Sequence, residues 1–237
     1  MSLSKLREVA TPECTITLCD FPEGHTHNRT YCPFLQYWII TKGAWILEKS
    51  PRQSTDPGHL QVFAPGSKSR RIISAPTQAI SLLFHSQLNL DHPNLPFITQ
   101  KLALLFFANK LDPITIEESV ALLNAPGPAD RKTPRWLTEV RDYLIANPES
   151  SDTLSELATR FGISPFHLAH SFRNHFHTTV SQFRQTQRLS AAIPHLISHP
   201  NESVPHLNFG FYDASHFHKT LHKHIPIRTP NLKKPQS

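Results

Sequence analysis

The sequence predicts an α+β chain of two domains, in which a jelly-roll β-barrel with a few following helices precedes an all-α domain. Up to residue 86, short apolar segments alternate with turn residues, whereas from residue 97 apolar residues recur at helical spacing. Residues 125–134 (APGPADRKTP) have the proline-rich, charged composition of a linker. We therefore expect a first domain over 1–124, a linker over 125–134 and a second domain over 135–237.

The first part of the chain has the composition of short β-strands. Segments such as ECTITLCDF (13–21) and LQYWIITKGAWILE (35–48) are rich in aromatic and β-branched residues. Turn pairs such as Lys42-Gly43 and Pro65-Gly66 separate these segments. Short strands at close spacing, without helices between them, predict a barrel or a sandwich.

Helical patterns fill the rest of the chain. The segments FITQKLALLFFANKL (97–111) and PITIEESVALLNA (113–125) are predicted helices, and Asp112-Pro113 divides them. Beyond the linker, apolar periodicity predicts helices over 134–147, 153–161, 164–176, about 181–197 and 213–224, with a short piece near 203–209.

Charge is concentrated in the second half of the chain. The 237 residues carry a formal net charge of +6, but residues 1–130 hold 11 basic and 11 acidic side chains, against 13 and 7 beyond them. The basic part is a candidate for binding a polyanion, because Lys and Arg displace counterions from phosphates.

Other features of the sequence indicate the cellular compartment of the protein. No run approaches the ~20 apolar residues of a membrane helix, and the first residues lack the apolar segment of a signal peptide. The three cysteines, an odd number without C-x-x-C spacing, fit a reducing compartment. We therefore expect a cytoplasmic protein that does not contact a membrane.

The segment LSELATRFGISPFHLAHSFRNHF (154–176) has the pattern of two short helices around a tight turn. Thr153 or Asp152 can cap the first helix, Gly162 supplies the turn, and Ser164 caps a second helix that starts at Pro165. The predicted inner face holds Leu154, Leu157, Ala158, Phe161, Leu168 and Phe172. This is the pattern of a helix-turn-helix, whose second helix fits the major groove of B-DNA.

The C-terminal stretch resembles the DNA-binding domain of the AraC/XylS family of transcription regulators. The residues that carry the resemblance are Leu157, Ala158, Gly162, Ser164, Leu168, Phe172, Phe183, Arg188, Leu189, Ala192, Gly210, Phe211, Ser215, Phe217, Leu221, Thr229 and Pro230. The resemblance implies two helix-turn-helix units joined by a long helix, each reading one major-groove segment on the same face of the duplex. Members of this family more often activate than repress.

Some positions depart from the family pattern. His177 and Pro226 stand where a glycine usually follows each recognition helix, and Pro194 falls inside the connecting helix, where it removes a hydrogen bond. The chain is also about two residues short between Val204 and Gly210. We therefore expect a better-formed first unit and a second unit that docks loosely.

The resemblance also assigns DNA-facing positions. In the first unit these are Phe166, Ala169 and His170 toward the bases, with Arg173 and Asn174 toward the backbone or the groove edge. In the second unit the matching positions are Ala214, Ser215, His218 and Lys219. Phe166 and Ala169 suit thymine methyl groups, and His170 suits a guanine acceptor.

The N-terminal part is similar to the two sequence motifs of cupins, which hold a metal with His-x-His, Glu and a further His. His25 and His27 match the first pair, but Gln36 stands at the Glu position and no histidine follows Pro65-Gly66. Two ligands are too few for a stable site. We therefore expect no metal, no other cofactor and no catalytic residue.

A metal-free cupin-like barrel is a common sensor in this family. The resemblance implies a sugar or a similar small polar effector inside the barrel, near His25, His27, Arg29, Gln36, Trp38 and Trp45. The two tryptophans also suit plain core packing.

The expected protein is a ligand-responsive transcription regulator that binds double-stranded DNA. It is expected to form a homodimer through the helices of residues 97–123, with RNA polymerase as a further partner. Two alternatives stay open: a metal-dependent cupin enzyme with a basic helical appendage, and a weakly specific DNA-binding protein.

Overall fold

The computed structural model describes residues 4–29, 32–48, 53–58, 60–90, 92–125 and 133–227, apart from the side chains of residues 28, 29, 53 and 54. The strands of the N-terminal part are β1 (Ser4–Ala10), β2 (Cys14–Phe21), β3 (Thr26–Arg29), β4 (Gln36–Lys42), β5 (Trp45–Leu47), β6 (Gln53–Thr55), β7 (Leu60–Phe63), β8 (Ser69–Ile73) and β9 (Thr77–Phe84). Two helices follow, α1 (Leu95–Phe107) and α2 (Pro113–Asn124).

Strands β2–β9 form a jelly roll. One antiparallel sheet has the order β1-β2-β9-β4-β7, and the other has the order β3-β8-β5-β6. Two facing four-stranded sheets with the orders 2-9-4-7 and 3-8-5-6 are what a pair of Greek keys produces, and β1 extends the first sheet at its edge. The predicted jelly roll is confirmed, and it consists of two facing sheets. Within the described residues, hydrogen bonds do not join these sheets into a closed barrel.

The first sheet is buried on both faces. On β4, Trp38 and Ile40 belong to the cluster between the two sheets, whereas Tyr37 and Ile39 belong to the cluster on the opposite face, as the two-residue period of a strand requires. Helix α1 lies in that opposite cluster and is buried along nearly its whole length. No helix in the described part of the chain is long and apolar enough to span a membrane.

The C-terminal part is helical, close to the predicted boundaries. It contains α3 (Arg135–Ala146), α4 (Leu154–Arg160), α5 (Pro165–Phe176), α6 (Val180–Ser198), a 3₁₀-helix (His206–Phe209) and α7 (Ala214–His224). We call α4 and α5 the first unit, and the 3₁₀-helix with α7 the second unit. Most of the predicted linker, residues 126–132, lies outside the described residues.

Local hydrogen bonds fix the residues at which the two helices of the first unit begin. The Thr153 hydroxyl accepts from the Glu156 N–H at 3.2 Å, while Glu156 accepts from the Thr153 N–H at 2.8 Å, which completes a capping box. Ser164 accepts from the His167 N–H at 3.2 Å. One predicted inner-face residue is wrong: Leu154 is 36% exposed, because a residue at the first position of so short a helix lies beside the core.

The buried apolar residues form three clusters. The inter-sheet core contains Cys19, Phe21, Trp38, Ile40, Trp45, Leu47, Phe63, Ile73 and Ala79. The first-unit core contains Leu137, Val140, Leu144, Leu157, Ala158, Leu168, Phe172, Val180 and Phe183. The third, which we call the joint core, combines the outer face of the first sheet, α1 and α2 with the C-terminal half of α6 and with α7.

The second unit packs against the N-terminal part of the chain through the joint core. Phe211, Phe217 and Leu221 are each 1% exposed within the joint core. Deep inside it, the Ser190 hydroxyl of α6 donates to Gln100 Oε1 of α1 at 2.6 Å. Apolar burial against α1 stabilises a segment whose own helix is short. The expectation that the second unit docks loosely on DNA stays a prediction.

Pro194 does not interrupt the connecting helix. Helix α6 runs through it, and the Ser198 hydroxyl donates to the Pro194 carbonyl at 2.9 Å. Ile193 and Leu196 beside it are buried in the joint core. Burial of this face offsets the backbone hydrogen bond that the proline removes.

His177 ends α5 in the left-handed region, with φ 52° and ψ 23°. We expect His177→Gly to raise the free energy of unfolding by about 1 kcal/mol, because only glycine adopts this conformation without steric cost. Urea denaturation checks this. The control His222→Gly, at an exposed position inside α7, should have the opposite sign and cost about 1 kcal/mol. Equal effects from the two substitutions would contradict the expectation.

Candidate functional site

Helix α5 presents one polar and aromatic face to solvent. Leu168 and Phe172 are fully buried beneath it, while Phe166 is 81% exposed and His170, Arg173 and Asn174 are also exposed. Ala169 is half-buried. The structure thus brings all five predicted first-unit residues onto one accessible surface of a capped helix.

Hydrogen bonding within α5 orients His170. The amide nitrogen of Asn174 lies 2.9 Å from Nε2 of His170, and the Phe166 ring stacks on the imidazole with 10° between the planes. An amide nitrogen donates, so in this pairing Nε2 accepts and Nδ1 is the ring nitrogen that carries the hydrogen. This tautomer leaves an N–H donor for a base acceptor or a phosphate.

A groove of about 580 Å³ runs beside α5. Its lining is Ser151, Asp152, Thr153, Leu154, Phe166, Ala169, His170, Arg173, Thr179, Val180, Ser181 and Arg184. Asp152 accepts from the Tyr143 hydroxyl at 2.7 Å, which lowers the pKa of its carboxyl. Its carbonyl accepts from the Arg184 guanidinium. These two contacts fix the segment before α4 against α3 and the start of α6, on one side of the groove.

The predicted residues of the second unit are exposed on α7. These are Ala214, Ser215, His218 and Lys219. Asp213 caps the helix by accepting from the His216 N–H at 2.6 Å. Sequence reasoning missed Tyr212, which is 85% exposed just before this cap; an aromatic residue at the start of a predicted recognition helix was the available signal.

One arginine of α6 holds the two units together. Arg188 donates through Nε to the Pro148 carbonyl at 2.9 Å and through Nη2 to the Ser150 carbonyl at 2.8 Å. Gly210 of the second unit approaches the same place: a Cβ there would lie 2.7 Å from the Cα of Glu149 and 2.8 Å from Nε of Arg188. The turn of the second unit is therefore held in close backbone contact with the loop between α3 and α4.

The predicted ligand residues converge between the two sheets. The Phe21 ring is central: its centroid lies 6.1 Å from His25, 5.6 Å from His27 and 5.8 Å from Trp45. Trp38 lies 5.7 Å from Trp45. Both histidines are half-buried, whereas both tryptophans are buried.

Two further predicted residues differ from this group. The Gln36 side chain donates to the Ser81 hydroxyl at 3.0 Å instead of standing free for a ligand. The Arg29 side chain lies outside the described part of the chain. Among the described residues, no three His, Cys, Asp or Glu side chains converge in a way that could hold a metal ion.

The residue that sequence reasoning missed in this region is Arg71. It is fully buried, and its guanidinium carbon lies 4.7, 5.1 and 4.5 Å from the ring centroids of Trp38, Trp45 and Phe63. Burial, and then the charge of Arg71, lower the pKa of His27 to about 4, so that its ring is neutral at pH 7. The signal was present, since Arg71 alternates with Ile73 along β8 and shares its buried face.

Comparison with known families identifies the C-terminal part. Residues 157–228 match the family model described as a helix-turn-helix domain. This range contains α5 and α7 with the whole of the connecting helix α6.

Solved structures similar to the chain cover its N-terminal part. A cupin_2 domain of an XRE family transcriptional regulator from Enterobacter cloacae is 13% identical, with a TM-score of 0.32 over 36% of this chain and 97% of that one. KdgF from Halomonas sp. is 20% identical, with a TM-score of 0.32 over 36% and 82%. The EutQ protein of Clostridium difficile is 13% identical, with a TM-score of 0.31 over 35% and 67%.

Identities of 13–20% and TM-scores of 0.31–0.32 are too low to assign the fold. The fold assignment therefore rests on the strand order. None of the curated proteins compared with the chain matches it. The match at residues 157–228 and the two capped recognition helices agree with each other. The chain therefore carries an AraC-type helix-turn-helix DNA-binding domain at its C-terminal end, behind a jelly-roll domain.

Proposed function

We propose that the protein is a sequence-specific transcription regulator whose DNA affinity responds to a small molecule held between the sheets of its N-terminal domain. We place the N-terminal domain at residues 1–124, the linker at 125–134 and the DNA-binding domain at 135–237. The observation that carries the proposal is α5, a capped helix with a continuous exposed face over a fully buried one, inside a helix-turn-helix domain.

The chemistry of that face supports base reading. Phe166 offers an apolar surface to thymine methyl groups, and the Nδ1–H of His170 offers a donor to guanine. Arg173 carries the charge that a phosphate needs. On α7, Ser215, His218 and Lys219 have equivalent chemistry.

The packing of the second unit supports a coupling route. Helix α6 contributes Phe183 to the first-unit core and Leu189 to the joint core, so it connects the two. A ligand that rearranges the sheets would shift α1, and Ser190 and the rest of α6 would move with it relative to the first unit. The ligand must bind the two arrangements with different affinity for this coupling to exist.

A homodimer and contact with RNA polymerase complete the proposal. We place the dimer surface on α2, where Ile114 and Leu122 are exposed. We assign no catalytic role to the chain.

The direct test uses the full-length protein and duplexes selected from a random pool. We expect His170→Ala to weaken binding to the selected sequence by roughly 5- to 160-fold, because a good base contact contributes about 1–3 kcal/mol, and to leave random duplex unaffected. Arg173→Ala should weaken both and reduce the salt slope by about one. Lys110→Ala removes an equal charge from the exposed segment that follows α1 and is the control.

Two outcomes would decide against the proposal. If both α5 variants bind the selected duplex as tightly as the unmodified protein, the helix does not read DNA. If the unmodified protein binds selected and random duplexes equally at a stated salt concentration, the weakly specific alternative is correct.

A further inference from the structure

A cavity of about 670 Å³ opens at one end of the first sheet. Its walls come from the end of β2, the end of β4 and the start of β9. The volume lies within the range of roughly 300–1,000 Å³ that small-molecule sites occupy. Its charged residues, Asp20 and Lys42, belong neither to the recognition helices nor to the inter-sheet core. The proposed function therefore does not account for this cavity.

Three polar side chains form a row across this end of the sheet. Strand pairing places Asp20 of β2 opposite Gln78 of β9, and Gln78 opposite Lys42 of β4, and all three line the cavity. Directly opposed residues of neighbouring strands have their Cβ atoms about 5 Å apart on one face. The order along the row is therefore carboxylate, amide, ammonium. The two charged residues stand two strand spacings apart, which is about 10 Å.

Contacts within the described chain leave these groups unpaired. Among the described residues, neither Asp20 nor Lys42 forms an ion pair, and the Gln78 side chain makes no hydrogen bond. Asp20 and Gln78 are nevertheless half-buried. Burial removes water from polar groups, and that cost is recovered only when the groups find partners. A ligand in the cavity would supply such partners.

The backbone around the row is held in place by close contacts. The Thr41 hydroxyl donates to the Gln78 carbonyl at 3.1 Å, which ties the end of β4 to the start of β9. Gly43 follows with φ 80°, and a Cβ there would stand 2.2 Å from the Pro76 carbonyl oxygen. The row therefore keeps its spacing before a ligand arrives, which lowers the entropy cost of binding.

We propose that this cavity binds a short peptide with free ends, of the size of a dipeptide, with its ammonium at Asp20, its peptide group at Gln78 and its carboxylate at Lys42. A carboxylate only accepts hydrogen bonds, an ammonium only donates, and a side-chain amide does both, as a peptide group does. Two extended residues span about 7 Å, and the hydrogen bonds at their ends take up the rest of the distance. This site goes beyond the proposed function, whose effector lies between the sheets.

Other small ligands match the row less well. A simple anion or cation leaves the opposite charge of the row unpaired. A single amino acid carries both charges, but it is too short to meet both ends of the row and has no internal amide for Gln78. A neutral sugar uses neither charge, although charged groups form the stronger hydrogen bonds.

The first test changes one group of the ligand at a time. Full-length protein is titrated by calorimetry with alanylalanine, its N-acetyl form, its C-terminal amide and alanine. Acetylation removes the ammonium, amidation removes the carboxylate, and alanine lacks the peptide group. We expect saturable binding of alanylalanine, and binding at least roughly tenfold weaker for each of the two blocked forms, because each loses a hydrogen bond between charged groups. Alanine should also bind more weakly than alanylalanine.

The second test changes one end of the row at a time. Asp20→Asn should remove the preference for alanylalanine over its N-acetyl form and keep the preference over its amide. Lys42→Met should do the reverse. A general loss of structure would not separate the two preferences in this way. Asp56→Asn and Lys68→Met remove the same charges from exposed positions outside the cavity, and both preferences should stay unchanged.

Four results would overturn the inference. These are no saturable binding of alanylalanine, equal binding of alanylalanine and either blocked form, equal binding of alanine, or an Asp20 variant that keeps both preferences. The ligand series uses the unmodified protein, so it decides the question even where circular dichroism shows that a variant does not fold. Binding to the selected duplex is measured in parallel. If DNA binding persists without peptide binding, only this inference fails, and if DNA binding alone is absent, only the proposed function fails.

Discussion

Replacing Phe172 with alanine should unfold the first unit while the jelly roll and the second unit stay folded. Phe172 is fully buried, and its ring lies 4.7 Å from that of Phe176 and 5.4 Å from that of Phe183. Removing a buried phenylalanine costs about 3–5 kcal/mol through lost transfer energy and the cavity left behind. That is a large part of the stability of a small domain, which is about 5–15 kcal/mol.

The effect should stay local because the first-unit core shares no residue with the joint core. Hydrogen exchange followed by peptide is the measurement: protection should fall across α3, α4 and α5 and remain in the sheets and α1. Binding to the selected duplex should be lost. The matched control is Phe217→Ala, at the corresponding place in the second unit.

Phe217→Ala should have the complementary effect. Phe217 is 1% exposed and belongs to the joint core with α1. Exchange should therefore rise in α7, in the C-terminal half of α6 and in α1, and the first unit should keep its protection. If either variant loses protection uniformly along the chain, the described part of the protein folds as one cooperative unit and the division into separate cores is wrong.

Gly210→Ala should disturb the arrangement of the two units more than Gly162→Ala does, although both substitutions add a single methyl group. Gly210 has φ 75°, which costs a non-glycine residue about 1–2 kcal/mol. The added Cβ would also stand 2.7 Å from the Cα of Glu149 and 2.9 Å from its carbonyl oxygen. Backbone must move to relieve that overlap, so we expect a total loss of about 2–5 kcal/mol.

Gly162→Ala isolates the part of this effect that comes from backbone strain. Gly162 has φ 67°, but its added Cβ would meet no atom within 4 Å. It should lose about 1–2 kcal/mol from backbone strain alone. Urea denaturation gives the two values, and footprinting on the selected duplex reports the spacing of the two recognition helices. Equal losses from the two variants would mean that the contact with Glu149 does not constrain the second unit.

Local patterns of residues were sufficient for the first unit. A cap at Thr153, a turn at Gly162 and a second cap at Ser164 act over three or four residues, and all three are present as expected. The same is true of the strand and helix segments, whose periods follow from backbone geometry. Leu154 is the exception, because it stands at the first position of a short helix and lies beside the core.

Features that depend on contacts between distant segments were not predictable in this way. The sequence contains nothing local that joins Ser190 to Gln100 or places the second unit on α1, and the missing residues before Gly210 indicated a loose unit instead. The position of Arg71 between two tryptophans depends on the register of β3, β5 and β8. A shift of one residue would turn its side chain to solvent.

Taken alone, the order of residues was enough to predict a β-rich part, a basic helical part and a capped helix with a defined exposed face, because hydrogen-bond periodicity and capping are short-range effects. Only the tertiary structure shows that α6 contributes residues to two cores and that a charged arginine lies between the sheets. Both depend on which apolar surfaces exclude water together, and that is settled by packing between elements far apart in the chain.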